Sequence, residues 1–334
     1  MEKLCFSFII PVYNRPEETK ELLESFIALE GDLDYEIVIV EDGSPLKSEN
    51  IVKSFSSQLN ISYFFKENSG PGDSRNFGMR HAKGNYFIIL DSDVILPSNY
   101  LVEVNRFLLD TYYDCFGGPD AAHQSFSNLQ KAINFAMTSF ITTGGIRGGK
   151  KQIEDFQPRS FNMGLSKKAF LATGGFGSIH PGEDPDLSLR LLKLGFKTTL
   201  IERAFVYHKR RISWSKFYKQ VNKFGMVRPI LNQWHPTSKS ITYWLPTLFS
   251  FGLLVAISFG LFNIMLPLYL YGIYFVVAFI LALKSSKSLI VALCSLVAIL
   301  VQFFGYGYGF LKSVFNLNVL GKQPEKAFPY LFFK

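Results

Sequence analysis

Two carboxylates one residue apart close an apolar run, Tyr86-Phe87-Ile88-Ile89-Leu90-Asp91-Ser92-Asp93, and a second acidic cluster follows further along, Gly182-Glu183-Asp184-Pro185-Asp186. At a strand end Asp91 and Asp93 can both approach one divalent cation where the backbone turns. Mg2+ or Mn2+ takes hard oxygen ligands and keeps positions open for diphosphate oxygens. Such an ion would offset charge as a nucleoside diphosphate departs. His208, closing Ala204-Phe205-Val206-Tyr207 and followed by Lys209-Arg210-Arg211, is a candidate imidazole ligand to the same ion, or a contact for lipid phosphate. Asp184 is the preferred general base for an acceptor hydroxyl. A carboxylate at a helix start also caps that helix and has its pKa lowered, and Glu183 and Asp186 are alternative bases. Arg75 lies in Gly70-Pro71-Gly72-Asp73-Ser74-Arg75-Asn76, where glycines allow close turns ahead of a helix. Backbone and guanidinium could meet phosphate there, although P-loop spacing is lacking and a structural turn explains the segment as well.

The elements that must position these groups alternate. Strands are expected at Leu4 to Ile10, Tyr35 to Glu41, Ile61 to Phe65, Tyr86 to Leu90 and Cys115 to Gly117, with helices near Glu17 to Leu29, Ser74 to Ala82 and Tyr100 to Leu109. Strands separated by helices imply an α/β fold with a mostly parallel central sheet covered on both faces. Ligands then sit beyond the carboxyl ends of the strands, where Asn14, Glu41-Asp42, Lys66-Glu67-Asn68 and Asp91-Ser92-Asp93 all fall. Beyond Gly117 a helix is expected over Phe126 to Thr143, a basic loop over Gly144 to Lys151, and a return to the sheet at Asn162 to Leu165. Leu187, Leu191 and Leu194 mark one face of a helix that starts near Asp184, takes Pro185 in its first turn and stops at Gly195.

Three stretches without a charged residue follow, Leu245 to Phe262, Leu266 to Leu283 and Leu289 to Leu311. At about 1.5 Å per residue each is long enough, or nearly so, to cross roughly 30 Å of hydrocarbon. The basic loop Lys284-Ser285-Ser286-Lys287 and the polar amino-terminal region are expected inside by the positive-inside bias, which puts the tail from Lys322 outside. Gly305, Gly307 and Gly309 mark the third stretch as the one that could bend or re-enter. The division expected is a catalytic domain over 1–225, an interfacial linker over 226–244, a membrane domain over 245–311 and a tail over 312–334.

The formal charge is +8, from 35 Lys and Arg against 27 Asp and Glu, and much of the basic excess lies between Lys197 and Lys239, just before the apolar stretches. That position favours anionic lipid over other polyanions. With no aromatic platform for single strands, nucleic acid is not an expected target. Three cysteines without metal spacing exclude a disulfide scaffold and a Cys/His zinc site. The first apolar run is short, lacks a small-residue cleavage site and ends at Pro11-Val12-Tyr13-Asn14, so it is expected as a strand rather than a signal peptide.

Taken together, Ser7 to Asn14, Ile37-Val38-Ile39-Val40-Glu41-Asp42-Gly43-Ser44, Gly72 to Gly78, the Asp-Ser-Asp at 91 to 93 and Gly182-Glu183-Asp184 resemble family 2 glycosyltransferases with the GT-A nucleotide-sugar-binding fold. The resemblance implies that Asp42 reads the donor base, commonly uracil, and that Pro11, Tyr13 and Glu41 line its pocket together with Asp73. It implies Asp91 near ribose and metal, Asp93 on the metal (Mn2+ or Mg2+), and Asp184 as base in an inverting displacement. Arg75 is retained as a candidate donor contact and Glu183 as a second candidate base. The segment from His208 to Gly225 followed by hydrophobic helices looks like membrane-associated members that act in exopolysaccharide or lipid-linked oligosaccharide synthesis. That implies a bacterial inner-membrane enzyme with its catalytic domain cytoplasmic. Lys209, Arg210, Arg211 and Gln220 are candidate contacts for an anionic lipid-linked acceptor.

Processive synthases of this family carry Gln-x-x-Arg-Trp, whereas this chain has Gln220-Val221-Asn222-Lys223-Phe224. That departure favours transfer of one sugar from a nucleoside-diphosphate sugar over polymer synthesis. A membrane sugar-recognition protein with an inactive pocket is the alternative of another class, distinguished by donor binding without turnover.

Overall fold

The computed structural model describes residues 3–121, 123, 126–144, 156–209 and 213–333. Its strands are β1 (Phe6–Val12), β2 (Tyr35–Asp42), β3 (Ile61–Lys66), β4 (Tyr86–Leu90), β5 (Val94–Ile95), β6 (Cys115–Gly117), β7 (Asp120–Ala121), β8 (Asn162–Ser166), β9 (Thr198–Leu200) and β10 (Val206–His208). The helices are α1 (Pro16–Ile27), α2 (Glu49–Phe55), α3 (Pro71–His81), α4 (Tyr100–Asp110), α5 (Asn128–Thr138), α6 (Phe140–Thr143), α7 (Lys167–Thr173), α8 (Glu183–Lys193), α9 (Trp214–Trp234), α10 (Leu245–Leu261), α11 (Leu266–Ser286) and α12 (Leu289–Val314).

Seven strands form one sheet in the order β3-β2-β1-β4-β8-β6-β9. β1 pairs in parallel with β2 and β4, while β8 runs antiparallel to both β4 and β6. The central strands bury alternate side chains in two different cores. Phe8, Ile10, Ile37, Ile39 and Ile88 enter one, and Ile9, Val38, Val40, Phe87 and Ile89 the other. A strand with both faces covered needs an unbroken apolar run, which is why these segments are legible in the sequence. Gly164 of β8 is required by packing, since a Cβ there would lie 1.9 Å from the Phe116 ring.

A second, three-stranded sheet, β5-β10-β7, was not foreseen. Its strands are two or three residues long, too short for any period to register.

The chain divides into two compact units. One holds β1 to β10 with α1 to α4, α7 and α8, and it includes Phe332 and Phe333; the other holds α5, α6 and α9 to α12. The expected domain limits differ from this division. Residue 225 falls inside α9, and the segment expected as a linker begins as the second half of that helix. Phe332 and Phe333 belong to the first unit: Phe332 forms a bridge with Ile179, and Phe333 N donates to Ser178 O at 3.0 Å.

In the second unit α12 runs without a break through its three glycines, so the bend considered there is absent. Gly305 and Gly309 are one turn apart and face α9, where added Cβ atoms would lie 2.6 Å from Val221 and 2.1 Å from the Asn222 carbonyl oxygen. Gly307 faces α10 at Thr247. Missing side chains let backbones approach closely, and Asn222 Nδ2 donates to Gly305 O at 2.9 Å across the contact.

Gly309→Ala should force α9 from α12, because the obstructing atom is backbone and cannot rotate away; overpacking costs about 1–3 kcal/mol. A lowered thermal midpoint in detergent is the expected outcome.

Candidate active site

The rim beyond the carboxyl ends of β1, β2 and β4 gathers most of the candidate residues. Asn14, just past β1, has φ of 54°. Its amide donates to Ser44 Oγ at 2.9 Å, and its Oδ1 accepts from Leu46 N at 3.1 Å. These bonds tie the loop after β1 to the loop after β2. They leave Tyr13 half exposed, with Pro11 partly buried at the strand end.

Glu41 and Asp42 end β2 and are both buried. Glu41 accepts from Ser44 Oγ, from Ser48 N at 2.8 Å and from Tyr63 OH at 3.2 Å. Burial and the Glu41 charge push the Tyr63 hydroxyl pKa up. Asp42 accepts from Lys66 Nζ at 2.6 Å and from the amides of Ser69 and Gly70 at 3.0 Å each. Both carboxylates thus shape the loops at which the resemblance implies donor contacts. Asp73 at the start of α3 closes the same loop through Ser69 Oγ at 2.5 Å and Lys66 Nζ at 3.3 Å. Partial burial opposes ionisation of Asp73, but Ser69 and Lys66 outweigh it and lower its pKa.

Arg75, one turn into α3, joins the two acidic clusters. Its Nη2 donates to Asp91 Oδ1 at 2.7 Å and its Nη1 to Glu183 Oε1 at 3.0 Å. The guanidinium is 4% exposed, so it needs both partners to offset the loss of water. Glu183 also lies 3.0 Å from His180 Nδ1. Burial alone would raise the Glu183 pKa, but His180 and Arg75 outweigh it and hold it well below the usual carboxylate range. Glu183 is thus a buried counter-ion of Arg75. Asp186 is taken by Arg190, whose Nε and Nη2 donate to it at 3.0 and 2.8 Å. Asp184 lies between them in the first turn of α8, with a side chain 18% exposed and 3.8 Å from Arg159.

His208 arrives by way of the small second sheet. β10 pairs antiparallel with β5, placing His208 opposite Val94, and Lys209 N donates to Asp93 O at 3.0 Å. The imidazole stacks on Phe161 with ring centroids 4.9 Å apart. Its Nε2 is 3.2 Å from Asp93 Oδ1, and Nδ1 is 3.9 Å from Asp120 Oδ2. Ligand atoms of Asp91, Asp93 and His208 all lie within 4.8 Å of one another. Two hard carboxylates and one imidazole are a donor set that fits Mn2+ or Mg2+. Asp120 stands behind the imidazole, where a carboxylate orients a ligating histidine.

Sequence reasoning missed several partners. Arg15 donates to Asp93 Oδ2 at 2.7 Å, and Arg159, His180, Asp120 and Lys66 are further examples. Only Arg15 had a local signal, its place directly after Asn14 at a strand end. Lys209 Nζ pairs with Glu21, so its charge is already met. Gln220 lies on α9 in the second unit, and Arg210 and Arg211 fall outside the described residues, as does the basic loop beyond Gly144.

Glu183→Gln should destabilise the protein by about 3 kcal/mol at neutral pH, the order expected when one member of a buried pair is removed. The Glu183 pKa is lower folded than unfolded, so its contribution is complete above the ordinary value of 4.5 and is lost as pH falls toward about 2. Denaturant titrations should therefore show the gap between wild type and variant closing over that window.

The sequence model of glycosyl transferase family 2 matches residues 7–171. An uncharacterized glycosyltransferase of Rickettsia bellii is 34% identical over 108 residues, covering 30% of this chain and 16% of the relative. The chondroitin synthase of Escherichia coli is 28% identical over 235 residues, covering 61% and 34%. The chain thus spans 16% and 34% of the length of these relatives. Among solved structures, a mannosyltransferase from Pyrobaculum calidifontis in complex with GDP-Man and Mn2+ superposes with a TM-score of 0.56 at 15% identity, over 95% of this chain and 88% of that one. That likeness concerns the fold. The strand order, the rim beneath which Asp91 and Asp93 lie, and the matched segment lead to one identification: this chain carries a family 2 glycosyltransferase domain of the GT-A fold.

Proposed function

We propose that the chain is a metal-dependent inverting glycosyltransferase that moves one sugar from a UDP-sugar to a lipid-linked saccharide or polyprenyl-phosphate acceptor at a membrane. The observation that carries this reading is the convergence of Asp91, Asp93 and His208 at the strand-end rim, in a chain with three helices long and apolar enough to cross a bilayer. The chondroitin synthase relative, by its name a polysaccharide-forming enzyme, supports a glycan product. The site's acidity supports a cation as the partner of the donor diphosphate.

In this reading the loop 66–73, fixed by Asp42 and Lys66, holds the nucleotide together with Pro11 and Tyr13. Asp91, Asp93 and His208 would hold Mn2+ or Mg2+, which would supply positive charge for the departing diphosphate. Arg75 fixes the Asp91 carboxylate, and Arg15 fixes that of Asp93. Asp184 accepts the proton of an acceptor hydroxyl opposite the leaving group. With a phosphate acceptor little proton removal is needed, and Asp184 then orients groups electrostatically. The basic loop Lys284 to Lys287 supports a cytoplasmic catalytic unit at a bacterial inner membrane.

Membranes containing the protein, incubated with several nucleotide sugars and a native polyprenyl-lipid extract, should yield a product one sugar heavier by mass. Chelation should abolish the reaction and Mn2+ restore it. Long polymer, or donor binding without turnover, would reject the proposal.

Asp184→Asn should lower turnover of a hydroxyl acceptor by about 10²–10⁴-fold, the usual worth of a general base, while donor affinity measured by calorimetry stays near that of wild type. Unaltered turnover would remove Asp184 from the mechanism.

A further inference from the structure

Resting on the membrane attachment proposed above, we infer that the chain crosses the bilayer an even number of times. The α10–α11 hairpin is the bilayer-spanning surface, and α12, though equally apolar, is a protein-facing helix. The first observation is the path of the chain. It leaves the first unit after Lys209 and rejoins it at Phe332, which bridges Ile179, while Phe333 N donates to Ser178 O. A segment that starts and ends in one folded unit cannot pass through a membrane an odd number of times. Three crossings are therefore excluded as long as that bridge holds.

The second observation decides which helices cross. In the apolar 18-residue segment of Ile241–Leu261 and of Leu266–Ser286, 17% and 11% is buried within the protein, against 39% for that of Leu289–Val319. α12 packs along α9 and α5 on one side as well as along α10 and α11. α9 carries Lys216, Lys219, Lys223 and Arg228, and α5 carries Lys131. Charges on two neighbouring helices are costly at membrane depth, and the glycine contact at Gly305 and Gly309 holds α12 level with the lysine-bearing part of α9. α10 and α11 instead leave Leu248, Phe251, Leu254, Ile273, Val276 and Ile280 exposed. At 21 residues each, these two stretches reach about 31 Å, enough for the hydrocarbon core. Their connection at Asn263 to Met265 has no charge to carry across, while Lys284 and Lys287 follow the second stretch. That asymmetry suits a hairpin with its tip outside.

The test uses the full chain in sealed, oriented membrane vesicles and a membrane-impermeant amine reagent, with labelled lysines located by mass spectrometry. Lys326 should be modified from the same face as Lys20 and Lys53. An Ile264→Lys variant at the exposed hairpin tip should be modified from the opposite face only. Labelling of Lys326 opposite Lys20 would establish an odd number of crossings and overturn the inference. Labelling of the variant tip on the Lys20 face would overturn the spanning hairpin. A separate alkaline carbonate wash distinguishes failure of the underlying reading: a chain released from the membrane pellet spans nothing, whereas one retained with the wrong labelling pattern is anchored in another way.

Discussion

A buried guanidinium needs its charge answered on more than one side, and Arg75 is answered by Asp91 from the end of β4 and Glu183 from the start of α8. These carboxylates are far apart in sequence, and the cation between them fixes their separation. Through this pairing the helix that carries Asp184 is held against the strand end that carries Asp91. Remove the guanidinium and the buried Glu183 keeps only His180, while the partly exposed Asp91 loses its link to α8. The rest of the rim is built outward from that contact, with Asp42 and Lys66 closing the neighbouring loop and Arg15 holding Asp93 from the other side.

The small sheet serves the same end by different means. Strands of two or three residues contribute little stability of their own, yet pairing of β10 with β5 sets the register that brings His208 to Asp93. Phe161 then fixes the ring by stacking, and Asp120 stands on its far side. Each side chain at the candidate cation site is thus constrained by a second group, which is how a preorganised donor set is maintained.

The sheet and its faces were legible because burial on both sides imposes long apolar runs, and β1 to β4 and β6 lie within a few residues of their expected limits. Asp91, Asp93, His208 and Asp184 stood out as candidates because carboxylates and an imidazole at strand and helix ends are local features of the sequence. The pairing of Glu183 with Arg75 was not legible, for a definite reason. Its neighbours in sequence say nothing of Arg75, and the partner decides whether a carboxylate is a base or a counter-ion. Glycines in α12 show the same limit: flexibility is the local meaning of glycine, close approach its meaning beside α9.

By itself the sequence determined an α/β domain with an acidic strand-end rim and three helices suited to lipid, because hydrophobic period, strand-end carboxylates and uncharged length are properties of contiguous residues. Tertiary structure alone decided that Asp91 and Glu183 share Arg75, that Asp93 meets Arg15 and His208, and that Phe332 returns to the unit that holds Ile179. Those are relations between residues distant along the chain, and they are set by pairing and packing that no local pattern encodes.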